Sequence, residues 1–159
     1  MFKKMLVPLD GSELATRVFP QVLDLAKTQG AQVTLLSVNP DWGKPDSEEV
    51  ANFIAAEGQK CQSMLAAAAK DFQAQGVKVE VACVTGEPAR EIIAYADANG
   101  MDLIALATHG RGEVAWVLGS VAEKVVTHSP VPVLLFRVLG IKPPPAKVDF
   151  LDLLDRGIP

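Results

Sequence analysis

Apolar residues in this chain fall into two alternating kinds of segment. Five short runs rich in Val, Leu, Ile and Ala predict β-strands, and several are nearly continuous in apolar residues, which is typical of parallel strands covered on both faces. These runs are residues 4–8, 32–38, 77–84, 102–107 and 131–137. Because segments with helical periodicity separate them, the pattern predicts an α/β fold built from parallel βαβ units.

Four helical patterns lie between the predicted strands. In the first, Ser12 is suited to cap the start and Gly30 to end the helix, while Pro20 predicts a kink in its middle. The remaining patterns cover residues 47–75, 88–100 and roughly 112–128.

A length of 159 residues suits one domain, and the composition changes near its end. We assign residues 1–138 to the folded domain. Residues 139–159 then form a spacer, which Pro143, Pro144 and Pro145 make stiff, followed by a short apolar segment around Phe150.

The charge balance limits the possible partners. A formal net charge of −4 argues against general binding to nucleic acid or to an anionic membrane, both of which favour a basic surface. No run approaches a membrane span, and Pro8 and Asp10 end the apolar N-terminal run too early for a signal peptide. We therefore expect a cytoplasmic protein, in which Cys61 and Cys83 are two buried thiols rather than a disulfide or redox pair.

Two predicted strands end in residues suited to binding a ligand. The first strand runs into Pro8-Leu9-Asp10, and the fourth runs through Ala107 into His109, Gly110 and Arg111. In an open parallel sheet, ligands bind at the carboxyl ends of strands where the strand order reverses. If the first and fourth strands are neighbours, both loops line one crevice.

The chemistry of these loops favours a phosphate together with a sugar or a base. Gly110 lets backbone N–H groups approach an anion closely, and a helix beginning after Gly119 at Ser120 and Val121 would direct further N–H groups at it. Asp10 accepts hydrogen bonds and so suits a ribose hydroxyl or a base amino group. The same residues also fit a plain turn and helix cap, with Arg111 in solvent.

Other common sites are absent from the sequence. The pattern Gly110-x-Gly112-x-x-Ala115 resembles a dinucleotide fingerprint, but it follows the fourth strand and no acidic residue ends the next one. No phosphate loop of the G-x-x-x-x-G-K-[ST] type, metal-ligand spacing or catalytic constellation is present, so we expect neither a catalytic nor a metal site. His109 is either a polar contact to a ligand or a solvated loop residue, and His128 suits the carboxyl end of a helix.

Four sequence motifs, in this order, resemble the universal stress protein family. They are Val7-Pro8-Leu9-Asp10-Gly11-Ser12, Gly86-Glu87-Pro88-Ala89-Arg90-Glu91, Thr108-His109-Gly110-Arg111-Gly112 with Leu118-Gly119-Ser120-Val121, and Ser129-Pro130-Val131-Pro132-Val133. The resemblance covers about residues 2–138. It implies a Rossmann-like fold of the adenine nucleotide α-hydrolase type, an open five-stranded parallel sheet in the order 3-2-1-4-5 with helices on both faces.

The resemblance also implies a homodimer formed through the fifth strand, from Val131 to Arg137, and a bound adenine nucleotide. The ligand would be ATP or AMP, with Mg²⁺ as a possible companion. Pro8, Leu9 and Asp10 would contact adenine or ribose, and the backbone of Val38 would contact adenine.

The phosphate loop departs from the family pattern G-x2-G-x9-G-[ST] at two points. Ala107 stands at the first glycine, and eight residues rather than nine separate Gly110 from Gly119. The Ala107 methyl could crowd the ribose or a phosphate, and the shorter connection could withdraw Ser120 from the outer phosphates. The prediction therefore centres on adenosine and the first phosphate.

Three functions remain open. The first is a dimeric stress-response regulator or sensor, in which nucleotide binding changes contacts with an unknown protein partner. The second is a dimeric interaction module of the same fold that binds no nucleotide, and the third is a weak ATPase.

Overall fold

The computed structural model describes residues 1–109 and 118–140. Within these residues five parallel strands form one sheet in the order β3-β2-β1-β4-β5, as the family resemblance implies. The strands are β1 Lys4–Pro8, β2 Gln32–Asn39, β3 Val79–Thr85, β4 Leu103–Ala107 and β5 Val133–Phe136.

The strand order reverses at β1, which lies at the centre of the sheet. Met5 of β1 is in register with Val33 of β2 on one side and with Leu103 of β4 on the other. From β1 the chain winds outward through β2 and β3, then returns to β4 and winds the other way. The carboxyl ends of β1 and β4 therefore flank the crevice predicted for a ligand.

Helices cover both faces of the sheet. They are α1 Glu13–Thr16, α2 Phe19–Gln29, α3 Glu48–Ala74, α4 Pro88–Ala98 and α5 Ser120–His128. Of the helices in the described ranges, none combines the length and the hydropathy that a membrane span requires.

The segment between β1 and β2 forms two helices, so the prediction of one helix kinked at Pro20 is wrong. The Ser12 hydroxyl accepts a hydrogen bond from the Ala15 amide at 3.3 Å and caps α1, as predicted. The chain then breaks before Pro20, which occupies the first turn of α2. Proline is tolerated in a first turn because the amide it lacks has no partner within the helix there. Gly30 ends α2 with φ near 61°, as predicted.

The two faces of the sheet bury separate apolar cores. The first core packs α1, α2 and α3 against one face and includes Phe19 and Phe72, whose rings meet edge to face with centroids 5.0 Å apart. The second core packs α4 and α5 against the other face and includes Leu36, Ile92 and Leu106. Alternate residues of each strand serve the two cores, which explains why the strands are nearly continuous in apolar residues.

Cys61 of α3 and Cys83 of β3 form a disulfide, so the expectation of two buried thiols is wrong. Their Cα atoms lie 6.4 Å apart and the sequence separation is 22 residues. Cys61 belongs to the first core and Cys83 packs against it, because α3 lies against β3 on that face of the sheet. Closing a loop of this length stabilises a fold by about 3 kcal/mol in the chain-entropy description.

The largest differences in element boundaries lie near the carboxyl end. β5 is shorter than the predicted run 131–137, because Val131 lies in a turn where its amide and carbonyl both bond the Ser129 hydroxyl. Helix α5 begins at Ser120 with Gly119 extended before it, and the predicted helix start near residue 112 lies outside the described residues. Residues 110–117 and 141–159 lie outside the described residues, and so does most of the predicted spacer and apolar segment.

Candidate functional site

A cavity of about 280 Å³ opens at the carboxyl ends of β1, β2 and β4. It lies at the point where the strand order reverses, between the first turns of α4 and α5. Its described lining comprises Pro8, Leu9, Asp10, Ala15, Leu36, Val38, Pro88, Ile92, Leu106, Ala107, Thr108, His109, Ser120, Val121 and Ala122.

One end of this cavity has apolar walls, and we call it the base end, and the opposite end the phosphate end, after the ligand groups that the sequence predicts. The base end consists of Leu36 and Val38 of β2, Leu106 of β4, and Pro88 and Ile92 of α4. Leu36, Ile92 and Leu106 are buried in the second core, so their positions are fixed by packing on their other sides. Apolar walls held in this way suit an aromatic base.

Asp10 lies at the mouth of the cavity, two residues after the end of β1. One carboxylate oxygen, Oδ1, accepts hydrogen bonds from the Ser12 amide at 2.9 Å and from the Ser12 hydroxyl. Gly11 between them has φ near 78°, a left-handed conformation that glycine adopts readily. This tight turn fixes the carboxylate beside the cavity and also starts α1.

The other end of the cavity, the phosphate end, is formed by the end of β4 and the first turn of α5. The Thr108 amide donates to the Phe136 carbonyl at 2.9 Å, and the Thr108 carbonyl accepts from the Gly119 amide at 3.0 Å. These bonds hold both ends of the connection between β4 and α5 together. Ser120 and Val121 then line the cavity with the start of a nine-residue helix. Amides in a first turn have no intrahelical acceptor and carry the positive end of the helix dipole.

His109 is buried, with 4% of its surface exposed. Its Nδ1 lies 2.8 Å from the Thr108 hydroxyl oxygen, and the ring lines the cavity. The alternative that His109 is a solvated loop residue is therefore wrong. His128 lies in the last turn of α5, where its Nδ1 donates to the Lys124 carbonyl at 2.9 Å, as its predicted place at a helix end suggests.

An ion pair links the two helices that flank the cavity. Glu87, which precedes α4, accepts a hydrogen bond from the Arg90 amide at 2.8 Å and pairs with Lys124 of α5 at 3.2 Å. The Arg90 amide, and to a lesser extent Lys124, hold the pKa of Glu87 below its ordinary value. Because both groups are exposed, the pair contributes little stability.

Ala107 lies at the last position of β4, in register with Phe136 of β5. It lines the cavity, and its side chain also packs with Phe136 against the first core, on the side of the sheet away from α4. The methyl group therefore packs against the core where Ala107 borders the cavity, and its crowding of a ribose or phosphate stays a prediction.

The predicted site residues lie around this one cavity. Pro8, Leu9, Asp10, Val38, Ala107, His109, Ser120 and Val121 line it, and Gly119 positions α5 beside it. The remaining two, Gly110 and Arg111, lie outside the described residues. In the described parts of the chain, no group of three His, Cys, Asp or Glu side chains is placed to hold a metal ion.

Several lining residues were not predicted from the sequence. Leu36 lies two residues before Val38 and shares its face of β2, and Ile92 follows Pro88 by one helical turn. Strand alternation and helical spacing would have identified both once Val38 and the start of α4 were placed at the site.

The model of the universal stress protein family matches residues 1–137. The chain belongs to this family. The match confirms the resemblance drawn from the sequence motifs and covers every described element of the sheet.

Individual relatives agree with this assignment. This universal stress protein is 33% identical over 151 residues to universal stress protein YxiE of Bacillus subtilis, covering 86% of this chain and all of YxiE. The solved structure of MJ0577 of Methanocaldococcus jannaschii is 29% identical, with a TM-score of 0.78 over 89% of this chain and 99% of that one. The Arabidopsis thaliana family protein At3g01520, solved with AMP bound, has the same fold at 19% identity, with a TM-score of 0.66 over 91% of this chain and 97% of that one.

Proposed function

We propose that this universal stress protein binds an adenine nucleotide in the cavity between β1 and β4 and acts as a dimeric stress-response sensor in the cytoplasm. The observation that carries the proposal is the cavity itself. One end is apolar and suits a base, and the other end is the start of a helix and suits a phosphate. The AMP-bound Arabidopsis relative supports an adenine nucleotide as the ligand.

In this proposal the base lies between the side chains of β2, β4 and α4. Val38 of β2 offers its backbone to the edge of the adenine ring, as the family resemblance implies. Asp10 accepts a hydrogen bond from a ribose hydroxyl, which suits an ionised carboxylate at the cavity mouth. Pro8 and Leu9 form the floor beneath the ribose.

The first phosphate lies against the first turn of α5, near Ser120, Val121 and His109. Helix starts stabilise anions there through unpaired amides and the helix dipole. Gly110 and Arg111 are the further proposed contacts. Mg²⁺, where it accompanies ATP, would be held mainly by the phosphates, since Mg²⁺ in nucleotide sites needs few protein carboxylates.

The proposed dimer forms through β5, an edge strand of the sheet. All four of its residues are half-buried apolar side chains, and exposed apolar edges favour pairing with another strand. The carbonyls of Pro132 and Phe136 accept hydrogen bonds from β4. Because the backbone groups of successive strand residues point to opposite sides, the N–H and C=O groups of Leu135 point toward the outer edge. Light scattering should give a dimer for the native chain and a monomer for Leu135→Pro. A native monomer at tens of micromolar would contradict this part.

Mass spectrometry of the small molecules released from the purified protein tests the ligand. We expect AMP or ATP in the released fraction, or an upward shift of Tm when AMP, ATP or cyclic AMP is added to protein stripped of ligand. If no nucleotide is released and no ligand shifts Tm, the result favours the interaction module that binds no nucleotide. The shortened Gly110–Gly119 spacing favours the same alternative.

A further inference from the structure

The Cys61–Cys83 disulfide lies beside a groove that neither the nucleotide site nor the proposed dimer uses. This groove, the disulfide groove, runs between α3 and the carboxyl ends of β2 and β3. It is lined by Asn39, Gly58, Gln59, Gln62, Cys83 and Thr85, among others. From here we infer that the cysteine pair is a reversible redox site, opened and closed by exchange with a small peptide thiol that enters this groove.

The two sulfur atoms differ in their access to the groove. Cys61 has only 5% of its surface exposed and lies in the first core, whereas Cys83 is half-buried and lines the groove. β3 is an edge strand of the sheet, and within the described residues no strand pairs with its outer side. Thiol–disulfide exchange requires a thiolate to reach one sulfur, and accessible disulfides are the exchangeable ones. Cys83 Sγ is therefore the atom attacked.

Gly58 keeps the route to Cys83 open. It precedes Cys61 by three residues on α3 and so lies on the same side of the helix. A Cβ atom added at Gly58 would meet no atom within 4 Å. Glycine disfavours a helix interior, and at this position its missing side chain leaves open space beside the disulfide.

The lining of the groove suits the backbone of a small peptide thiol. Asn39, Gln59 and Gln62 present side-chain amides, and Thr85 presents a hydroxyl, while no charged side chain is among the described lining residues. Amides and hydroxyls both donate and accept hydrogen bonds, which is the pattern a peptide backbone requires.

The exchange proceeds in two balanced steps. A thiolate of the peptide thiol attacks Cys83 Sγ, forms a mixed disulfide, and releases Cys61 as a thiolate that takes up a proton. A second peptide thiol then attacks the mixed disulfide, and Cys83 leaves as a thiolate that is likewise protonated. The protein gains two electrons and two protons, and the two peptide thiols leave as their own disulfide.

The consequence is a change in how α3 is attached to the sheet. The disulfide is the covalent link between α3 and β3, and Cys83 is in register with Ser37, one residue before Val38 of the nucleotide cavity. In a reducing compartment, disulfides are typically transient or sensing rather than structural. The redox inference stands without the nucleotide proposal, because its test measures thiols alone.

The test follows reduction of the folded protein by reduced glutathione, with free thiols trapped by alkylation and counted by mass spectrometry. We expect a rate proportional to the glutathione concentration and well above the rate of global unfolding. Gly58→Leu should slow reduction at least about fivefold, because its side chain fills the groove. The matched variant Ala56→Leu, on the exposed side of the same helix turn, should leave the rate unchanged.

A second measurement uses the single-cysteine variants and oxidised glutathione. Cys61→Ser, which retains Cys83, should form the mixed disulfide at least about tenfold faster than Cys83→Ser, which retains the buried Cys61. Reduction that saturates at the unfolding rate would overturn the inference, as would equal reactivity of the two cysteines. So would a protein that keeps free thiols in excess oxidised glutathione.

Discussion

Core side chains line the base end of the cavity, whereas the phosphate end is formed around the start of a helix. At the base end, Leu36, Ile92 and Leu106 present side chains that belong to the second core. At the phosphate end, the lining includes the first turn of α5, whose amides lack intrahelical acceptors, and a hydrogen bond between Gly119 and Thr108 ties this turn to β4.

This difference separates the roles of the two ends. A wall of core side chains excludes water and selects a shape, so it suits the base, which is common to adenosine, AMP and ATP. A wall of amides selects a charge, so it suits the phosphate, which distinguishes these ligands. Substitutions at the base end should therefore weaken all adenine ligands alike, and those at the phosphate end should weaken only the phosphorylated ones.

Filling the base end should have the largest effect. Val38→Phe places a ring in the space proposed for adenine, and we expect roughly hundredfold weaker binding of adenosine, AMP and ATP, near 3 kcal/mol. Titration calorimetry with the three ligands measures it. Val81→Phe, on the exposed edge strand away from the cavity, is the control, and unchanged binding by Val38→Phe would remove adenine from this end.

Removing the carboxylate at the cavity mouth should have the next largest effect. Asp10→Ala removes the acceptor proposed for the ribose, so we expect about tenfold weaker binding of adenosine and AMP alike, near 1.4 kcal/mol. Asp10→Asn keeps an oxygen acceptor for the Ser12 amide and should lose less. A loss confined to AMP would mean that Asp10 acts on the phosphate and not on the ribose.

Removing the hydroxyl at the phosphate end should have a smaller and more selective effect. We expect Ser120→Ala to weaken AMP binding about threefold and to leave adenosine binding unchanged, because one of several proposed phosphate donors is lost. Thr127→Ala, at the far end of the same helix, is the matched control. Equal weakening of both ligands would contradict the separation of the two ends.

The ion pair that joins the two ends should have the smallest effect, on stability. The pKa of Glu87 is lowered in the folded state, so its contribution is present above the unfolded value near 4.5 and is lost as the pH falls through the folded value. Glu87→Gln should lower the free energy of unfolding by less than about 1 kcal/mol at pH 7. In urea titrations the difference should shrink as the pH falls below about 4.5, whereas Asp46→Asn in an exposed loop should show no difference at pH 7.

Much of the fold could be predicted from the sequence because the hydrophobic periodicity and the capping residues indicate the same element boundaries. β1 begins and ends where the apolar run predicts, and Ser12 and Gly30 act as the predicted cap and stop. Pro20 misled because a proline suits both a kink and a first helical turn, and tertiary packing of Val18 and Phe19 decided between them. The Cys61–Cys83 pairing could not be predicted, since it depends on how α3 lies across β3.

The site could be predicted in outline for a similar reason. Polar residues just beyond the strand ends, such as Asp10 and His109, are visible as breaks in apolar runs. Leu36 and Leu106 have no such signal, because in the sequence they are ordinary buried strand residues. Only the sheet order, which brings β2 and β4 to either side of β1, places both in one wall.

The most direct measurement of the central claim is an NMR titration of methyl-labelled protein with AMP. The account predicts saturable shifts concentrated on the methyl groups of Leu36, Val38, Ile92 and Leu106, and the same groups should respond to adenosine. Methyl groups of the first core, such as those of Val22 and Leu65, should change little. Saturable binding that shifts other methyl groups and leaves these four unchanged would contradict the account, as would the absence of any shift at millimolar AMP.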